Sequence, residues 1–251
     1  MEAELTVSNG DWPITVVETA TSSSDLVRAA VADGAPEGTG FLVGRQTAGR
    51  GRRGRHWASQ QGGMYYSVLL KPPFPSSRWF GLSFIACLAI RDVIASYLTD
   101  QTIGLKWPND VVIAGRGKLC GILIEVAGDN LIVGTGVNIA PVAPLTDAPF
   151  EPVAMDDFGE TSVVPHALAT AYQAQLARRY AAYVETGFAP VRSEWLSHCV
   201  HRRQVMTVHL ADTAISGVFA DLGQDGTLHL LADDGTTHHI STGDVELMGQ
   251  V

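Results

Sequence analysis

The stretch of sequence that decides the fold reads LCGILIEVAGDNLIVGTGVNI. It contains two apolar, β-branched runs, Leu119–Val126 and Asn130–Ile139, which are typical of strands. The three residues between them, Ala127-Gly128-Asp129, are few enough for a hairpin. Because both runs are apolar at most positions, we expect the sheet that contains them to be covered by helices.

The sequence before this hairpin alternates between strand and helix patterns. A helix is expected after the cluster Ser22-Ser23-Ser24-Asp25, because serine and aspartate are favoured at helix N-termini. Apolar residues recur with a helical period from Leu82 to Tyr97, which predicts a long helix at the hydrophobic centre. Short strands are expected at Ile14–Glu18, Phe41–Gly44 and Met64–Leu70.

The sequence after the hairpin changes character twice. Residues 141–163 are rich in Pro, Ala and Asp and are expected to form a loop, whereas Pro165–Thr186 predicts a helix opened by proline. From Gln204 onward short strands are expected, with turns at Gly223-Gln224-Asp225-Gly226 and Asp233-Asp234-Gly235. We therefore predict a large domain over residues 1–200 and a small β-barrel-like domain over residues 201–251.

The composition narrows the class of protein. The chain of 251 residues is 46% hydrophobic, and its formal net charge of −9 disfavours a nucleic-acid-binding protein. Its three cysteines, Cys87, Cys120 and Cys199, are widely spaced, so neither a disulfide framework nor a zinc site is expected. Met1–Glu4 does not resemble a signal peptide, and no apolar run approaches the roughly 18 residues of a membrane span. We expect a cytoplasmic protein that binds no membrane.

Positive charge is concentrated in one segment, residues 45–57, which we call the arginine loop. It packs five arginines and three glycines into RQTAGRGRRGRHW. Arginine presents a planar fork of donors that matches phosphate and carboxylate, and glycine lets backbone N–H groups approach the same anion. A polyanionic ligand explains why an acidic protein retains this repulsive cluster.

Three other interpretations of the arginine loop stay open at this point. Gly49, Gly51 and Gly54 match the dinucleotide fingerprint, but that motif opens a helix, whereas here another strand is expected next. A nucleic-acid contact and a solvated charged loop are the other two.

Two further segments carry polar residues at strand ends. Lys106-Trp107-Pro108-Asn109-Asp110 supplies an amide and a carboxylate at a strand start, and Lys118 opens the first strand of the hairpin. Taken alone, Lys118 is more simply interpreted as a solvated turn residue. Gly134–Ile139 places small residues and the Asn138 amide at a strand end, where a ligand could approach.

Together these segments resemble the ordered motif set of the biotin–protein ligases. The resemblance lies in Gly49–Arg55 with Trp57, then Lys106–Asp110, then Lys118–Leu123, then Gly136–Asn138, and it covers roughly residues 12–140 closely. It implies an α+β fold: a mixed β-sheet flanked by helices, related to class II aminoacyl-tRNA synthetases and lipoate ligases, with a small C-terminal SH3-like β-barrel.

The resemblance also implies a reaction, in which biotin and ATP with Mg²⁺ form biotinyl-5'-AMP before biotin is transferred to a lysine of a biotin carboxyl carrier domain. Mg²⁺ is expected to be carried on the ATP phosphates rather than by protein side chains. The implied catalytic residues are Lys118, Arg50, Arg52 and Asp110. Biotin and its adenylate would contact Ser22, Ser23, Ser24, Gln46, Gly49, Arg50, Gly51, Arg52 and Lys118, and the nucleotide would lie near Trp57, Asn109, Asp110 and Asn138.

The chain departs from the family pattern at one motif. The family usually carries Ser-Thr-Asn where this chain has Ser22-Ser23-Ser24, so the third position lacks an amide with two donors. Two alternatives therefore stay open, a non-catalytic biotin-binding paralogue and a lipoate or other acyl ligase. Only about eleven residues precede the first predicted strand, so we expect a monofunctional enzyme without a DNA-binding domain, and a homodimer is possible.

Overall fold

The chain, seen in a computed structural model, is described over residues 5–8, 12–142, 151–210 and 212–247. Met1–Glu4 and part of the predicted 141–163 loop lie outside these residues. The described residues form an eight-stranded sheet, a five-stranded sheet and four α-helices. The strands of the large sheet are β1 (Leu5–Ser8), β2 (Pro13–Ala20), β3 (Gly40–Gln46), β4 (Met64–Leu70), β5 (Ile103–Lys106), β6 (Asp110–Ile113), β7 (Gly117–Ala127) and β8 (Asn130–Val137). The helices are α1 (Ser23–Ala32), α2 (Gly81–Tyr97), α3 (Pro165–Thr186) and α4 (Phe188–His198), and the small sheet comprises β9 (Val205–His209), β10 (Ala214–Leu222), β11 (Leu228–Leu231), β12 (Thr237–Ile240) and β13 (Asp244–Leu247).

The large sheet is mixed, as the sequence predicts. Its strand order is β1-β2-β3-β4-β8-β7-β6-β5, in which β2 and β3 run parallel and all other neighbours run antiparallel. The predicted hairpin is confirmed: β7 and β8 pair from Cys120 to Ala127, and Gly128 takes the left-handed conformation at φ 63° that the turn requires.

Helices cover both faces of the large sheet. Val68 and Leu69 are neighbours on β4, yet they belong to separate apolar clusters, because successive strand residues point to opposite faces. Leu69 packs with Val27 of α1, whereas Val68 belongs to the main core with the buried face of α2. The expected α+β arrangement, a sheet flanked by helices, is therefore confirmed.

The helical region after the loop agrees only in part with the sequence analysis. The predicted helix Pro165–Thr186 has the same bounds as α3. No element was predicted between Thr186 and Gln204, but the chain turns at Gly187, with φ 71°, and continues as α4. The described part of the predicted loop also contains a 3₁₀ turn at Met155–Phe158.

One apolar helix bears on the question of membranes. Among the described residues, the helical segment Ser76–Tyr97 is long and apolar enough to cross a membrane by length and composition. This corrects the expectation that no apolar segment reaches that length. The core helix of a soluble protein passes the same test, and 61% of the apolar window is buried inside this fold.

The small sheet follows α4 and has the strand order β12-β11-β10-β9-β13. Both predicted turns are present, with Gly226 at φ 78° and Gly235 at φ 85°. The small antiparallel sheet is thus confirmed, while its strand order is linear, and closure into a barrel stays a prediction. The predicted boundary at residue 200 falls between the end of α4 and the start of β9.

Candidate active site

A cavity of about 440 Å³ opens where the arginine loop, the start of α1, the β5–β6 turn and the β7–β8 hairpin meet. Gly243, Asp244 and Val245 of the C-terminal region also line it. The structure brings together almost every residue predicted for the site. Those lining the cavity are Ser22, Ser23, Ser24, Gln46, Arg50, Gly51, Arg52, Trp57, Asn109, Asp110, Lys118 and Asn138.

Gly49 lies against the cavity wall rather than on it. A Cβ atom at this position would lie 2.5 Å from the Trp57 carbonyl oxygen, 2.5 Å from Ser59 Oγ and 3.0 Å from Gln46 Nε2. Any side chain would therefore displace the backbone of the arginine loop and the Gln46 amide. This glycine permits close packing, whichever ligand the cavity takes.

One end of the cavity is a network of neutral, buried hydrogen-bonding groups. Ser23 Oγ and Ser24 Oγ lie 2.8 Å and 3.1 Å from Ser67 Oγ on β4. Gln46 Oε1 accepts from the Ser23 backbone N–H at 2.8 Å, and Gln46 Nε2 donates to Ser59 Oγ at 2.7 Å. With both ends of its amide engaged, Gln46 is held in one orientation.

Ser22 has a structural task in addition to lining the cavity. It is the N-cap of α1, and its hydroxyl accepts from the Asp25 backbone N–H at 3.1 Å. This is the capping role that the serine cluster predicts. Ser23 and Ser24 in the first turn are thereby placed against β4.

The opposite end of the cavity is a cluster of charges centred on Asp110. Lys118 Nζ lies 2.6 Å from Asp110 Oδ1, and Lys106 Nζ lies 3.5 Å from Asp110 Oδ2. Lys106 and Asp110 face each other across the β5–β6 pair, and both are buried. The simpler interpretation of Lys118 as a solvated turn residue is wrong, because its ammonium is paired inside the cavity.

The pKa values in this cluster follow from burial and charge. Burial alone would raise the pKa of Asp110, but the charges of Lys118 and Lys106 hold it below its ordinary value. Burial lowers the pKa of Lys106 to about 8, although the Asp110 carboxylate opposes the shift. The Asp110 carboxylate is therefore ionised at neutral pH and lies between two lysine side chains.

Trp57 forms a wall of the cavity between these two ends. Its ring lies 5.2 Å from Lys118 Nζ, within the range of a cation–π contact. Gly121 and Gly136 face each other across β7 and β8, and a Cβ on either would approach the indole to 3.0 Å or less. The two glycines thus make room for the flat ring on the sheet.

Asn109 and Asn138 tie neighbouring segments together at the charged end. The Asn109 amide donates to the Ile122 carbonyl, and its Oδ1 accepts from Arg52 Nη1 at 3.3 Å. Asn138 Nδ2 donates to the Val153 carbonyl at 3.1 Å. Contact of these residues with a nucleotide stays a prediction.

The arginine loop is held by carboxylates on both sides. Arg50 makes a two-armed contact with Asp25, with Nη2 lying 2.7 Å from Oδ1, and lies 3.6 Å from Glu125. The Arg50 guanidinium lowers the pKa of Asp25 to about 2. The loop contains a 3₁₀ turn at Arg52–Gly54 and leads to β4, so the dinucleotide interpretation, which needs a helix next, is wrong.

Three residues of the site were missed by the sequence analysis. Ser67 carries a signal, since it is a serine inside the apolar strand Met64–Leu70. Lys106 was quoted in a motif but given no role, because a lysine is expected at the surface. Asp244 carried no signal, since it reaches the arginine loop only through packing between segments about 190 residues apart.

Comparisons with known proteins agree with this geometry. Residues 23–139 match the model of the biotin/lipoate A/B protein ligase family. The fold resembles the biotin protein ligase from Aquifex aeolicus in complex with biotin and ATP, with a TM-score of 0.81 at 24% identity, covering 94% of this chain and 98% of that one.

Two relatives in sequence carry the assignment further. A bifunctional ligase/repressor BirA of Bacillus subtilis is 30% identical over 85% of this chain and 67% of its own length. A biotin–[acetyl-CoA-carboxylase] ligase of Paracoccus denitrificans is 30% identical over 86% of this chain and 93% of its own length. The charged cavity, the fold and this near-full-length likeness agree, and the chain belongs to the family of biotin–protein ligases.

Proposed function

We propose that this chain is an ATP-dependent biotin–protein ligase, which forms biotinyl-5'-AMP and pyrophosphate and then transfers biotin to a lysine of a biotin carboxyl carrier domain. One observation carries the proposal: a single cavity joins a neutral hydrogen-bonding end, at Ser23, Ser24 and Gln46, to a cationic end, at Lys118 and Arg52. Biotin adenylate has a matching division, with a neutral ring system at one end and an anionic phosphate between the acyl chain and the adenosine.

Adenylate formation needs the positive charge at this end. The biotin carboxylate attacks the α-phosphorus, so two anions approach each other and charge builds on the phosphoryl oxygens. Lys118, Arg50 and Arg52 all line the cavity, and Arg52 contacts Asn109, the neighbour of Asp110. We assign Lys118 to the biotin carboxylate and the α-phosphate, and the two arginines to closing the loop over the adenylate.

The transfer step needs a group that receives the carrier lysine. The adenylate is a mixed anhydride, so the neutral amine attacks its carbonyl carbon directly. The C–O bond to the phosphate breaks, AMP leaves with the bonding electron pair, and the amine proton passes to solvent. The lowered pKa of Asp110 keeps its carboxylate ionised but makes it a weak base. We therefore assign to Asp110 the orientation of the incoming amine rather than its deprotonation.

Magnesium fits this cavity only as a companion of the nucleotide. Among the described residues, no group of three or more His, Cys, Asp or Glu side chains could hold a metal ion. The Asp110 carboxylate is already shared by two lysines. We propose that Mg²⁺ enters on the ATP phosphates, and we assign no protein ligand to it.

The proposed partner and location follow from the same reaction. The carrier would be a biotin carboxyl carrier domain of a carboxylase, whose lysine must reach the open side of the cavity. Cys87, Cys120 and Cys199 are all free thiols, which is typical of proteins in a reducing compartment. We accordingly propose that the chain acts in the cytoplasm.

The test is transfer of labelled biotin to a purified biotin carboxyl carrier domain with Mg-ATP, in the presence and absence of excess lipoate. We expect transfer that lipoate does not reduce. Lys118→Ala should lower pyrophosphate release by on the order of 10²–10³-fold, the usual effect of losing a preorganised charge-stabilising donor.

Arg116→Ala is the matched control, because Arg116 is an exposed cation in the turn just before β7. It should retain the wild-type rate. Biotin binding without transfer would contradict the proposal in favour of a non-catalytic paralogue, and competition by lipoate would point to another acyl substrate.

A further inference from the structure

The small sheet contacts the arginine loop at a place that the proposed reaction has not used. Arg53 Nη1 lies 3.1 Å from Asp244 Oδ2, and Arg55 pairs with the other oxygen of the same carboxylate. Arg52 Nη2 donates to Thr242 Oγ1 at 2.8 Å. Three of the five loop arginines are therefore held by Thr242 and Asp244, at the start of β13.

Asp244 is built into the rim of the cavity rather than carried on a free loop. It is the first residue of β13, pairs in register with His209 on β9, and lines the cavity itself. Its side chain is 26% exposed, so it is anchored by the sheet on one side and faces the loop on the other.

The loop has a strained turn at this contact. Arg53 has φ 57°, the left-handed conformation that residues other than glycine rarely adopt. Such a conformation persists only when surrounding contacts hold it. The Arg53 guanidinium makes two such contacts, with the Asp244 carboxylate and with the His209 carbonyl at 3.3 Å.

The two sides of the loop are thus fixed by different parts of the fold. Arg50 is held by Asp25 at the start of α1 and by Glu125 on β7, both in the large domain. Arg53 and Arg55 are held by Asp244 in the small sheet. We assign Arg50 and Arg52 to the adenylate. Arg50 is itself one of the held residues, and Arg52 lies between Arg50 and Arg53 in the sequence.

We propose that Asp244 is a positioning residue for adenylate formation, which fixes the arginine loop over the cavity before ATP binds. Asp244 acts through Arg53 and Arg55 and touches no reacting atom. Once ATP is bound, its phosphates supply the counter-charge that Asp244 provided, so Asp244 governs capture of the nucleotide and not the chemical step. The kinetic part of this inference rests on the proposed ligase function, whereas the loop conformation does not.

The first test is limited digestion with trypsin, which cuts after arginine and so reports directly on this loop. Asp244→Asn keeps the shape of the side chain and removes its charge. We expect cleavage within residues 50–56 to become roughly three- to tenfold faster than in the wild type, a modest change because exposed ion pairs are individually weak. Cleavage at the exposed Arg116 turn should stay the same, which separates loop release from general unfolding.

Glu246→Gln is the matched control, because Glu246 lies on the same strand but pairs with His209 instead of the loop. It should leave the cleavage pattern unchanged. Equal loop cleavage in the wild type and Asp244→Asn, or equal acceleration in Glu246→Gln, would overturn the proposal.

The second test separates positioning from chemistry in pyrophosphate release. Asp244→Asn should raise the KM for ATP roughly three- to tenfold and leave kcat within about twofold, with Glu246→Gln changing neither. A fall in kcat at unchanged KM would overturn the positioning role. Absence of ligase activity in the wild type would contradict only the proposed function, since the digestion result stands without catalysis.

Discussion

The two ends of the cavity are held by different kinds of interaction. At the neutral end, uncharged groups are joined by hydrogen bonds: the buried Ser23, Ser24 and Ser67, and the half-buried Gln46. At the charged end, Asp110 is paired with two lysines, and Arg53 and Arg55 are tied to the partly exposed Asp244 carboxylate.

The difference follows from what each end has to do. A fixed neutral network favours a ligand whose polar groups match it, because an unmatched group would stay buried without a partner. Ion pairs at the other end can exchange one anion for another, so a phosphate can replace a carboxylate without leaving a cation unpaired. Specificity is expected to reside at the neutral end, and chemistry at the charged end.

The largest effect expected at the charged end is on stability. Asp110→Asn removes the carboxylate that pairs with both Lys106 and Lys118 inside the cavity. Breaking a buried pair in this way costs on the order of 3–5 kcal/mol. We expect about 3 kcal/mol here, because Lys118 is 26% exposed and can turn to solvent. Urea denaturation at pH 7 would measure the loss.

Asp233→Asn is the control for this change, because Asp233 is exposed in a turn of the small sheet. It should alter the free energy of unfolding by less than about 0.5 kcal/mol. If Asp110→Asn were equally mild, the carboxylate would not be the counter-ion that organises this end.

The next effect concerns pH and the charge of Lys106. Its pKa of about 8, lowered by burial, means that the ammonium loses its proton between about pH 7 and pH 9. Rising pH therefore removes positive charge from the cavity. Lys106→Met lacks this titration. We therefore expect the ATP affinity of the wild type, relative to that of Lys106→Met, to fall roughly tenfold over this range.

Calorimetric titration of both proteins with ATP at pH 7 and pH 9 would measure this difference. His201 is buried nearby, but its pKa, lowered by burial to about 3, leaves it neutral throughout the range. Parallel pH dependence in the wild type and Lys106→Met would assign the titration to another group. Biotin affinity should be the same in both proteins, because the neutral end is unaffected.

The sequence predicted the two ends unequally, for physical reasons. The arginine loop was found because a run of arginines and glycines is a local pattern in the linear sequence. Lys118, taken alone, was interpreted as a solvated turn residue and received its role only from the resemblance to the ligase family. The Lys106 partner of Asp110 was missed, because burial of a lysine depends on the pairing of β5 with β6. Ser67 was missed for the same reason, since its bonds to Ser23 and Ser24 join strands and helices far apart in the chain.

The elements of the fold were likewise predicted where a local sequence pattern marks them and missed where none does. Pro165–Thr186 was predicted to the residue, because proline marks its start and Gly187 its end. Helix α4 was missed, because it begins directly after that glycine and lacks the polar N-cap side chain that marks a helix start in a sequence. The contact of Asp244 with Arg53 and Arg55 depends on how the small sheet packs against the large domain, which no local pattern encodes.

The smallest effect is expected at the neutral end and is confined to biotin. Ser67→Ala removes the hydroxyl that joins Ser23 to Ser24, while Gln46 still holds Ser23. One neutral hydrogen bond contributes about 1 kcal/mol, so biotin affinity should fall roughly fivefold. ATP affinity should stay within about twofold, since the charged end is untouched. Equilibrium binding of each ligand alone would measure both values.

Ser216→Ala is the matched control, because it removes a hydroxyl from an exposed strand position in the small sheet, where it lies 2.8 Å from the hydroxyl of Thr207. It should change neither affinity. A loss of ATP affinity in Ser67→Ala equal to its loss of biotin affinity would show that the two ends are coupled, and the division of the cavity into a specificity end and a chemical end would then be wrong.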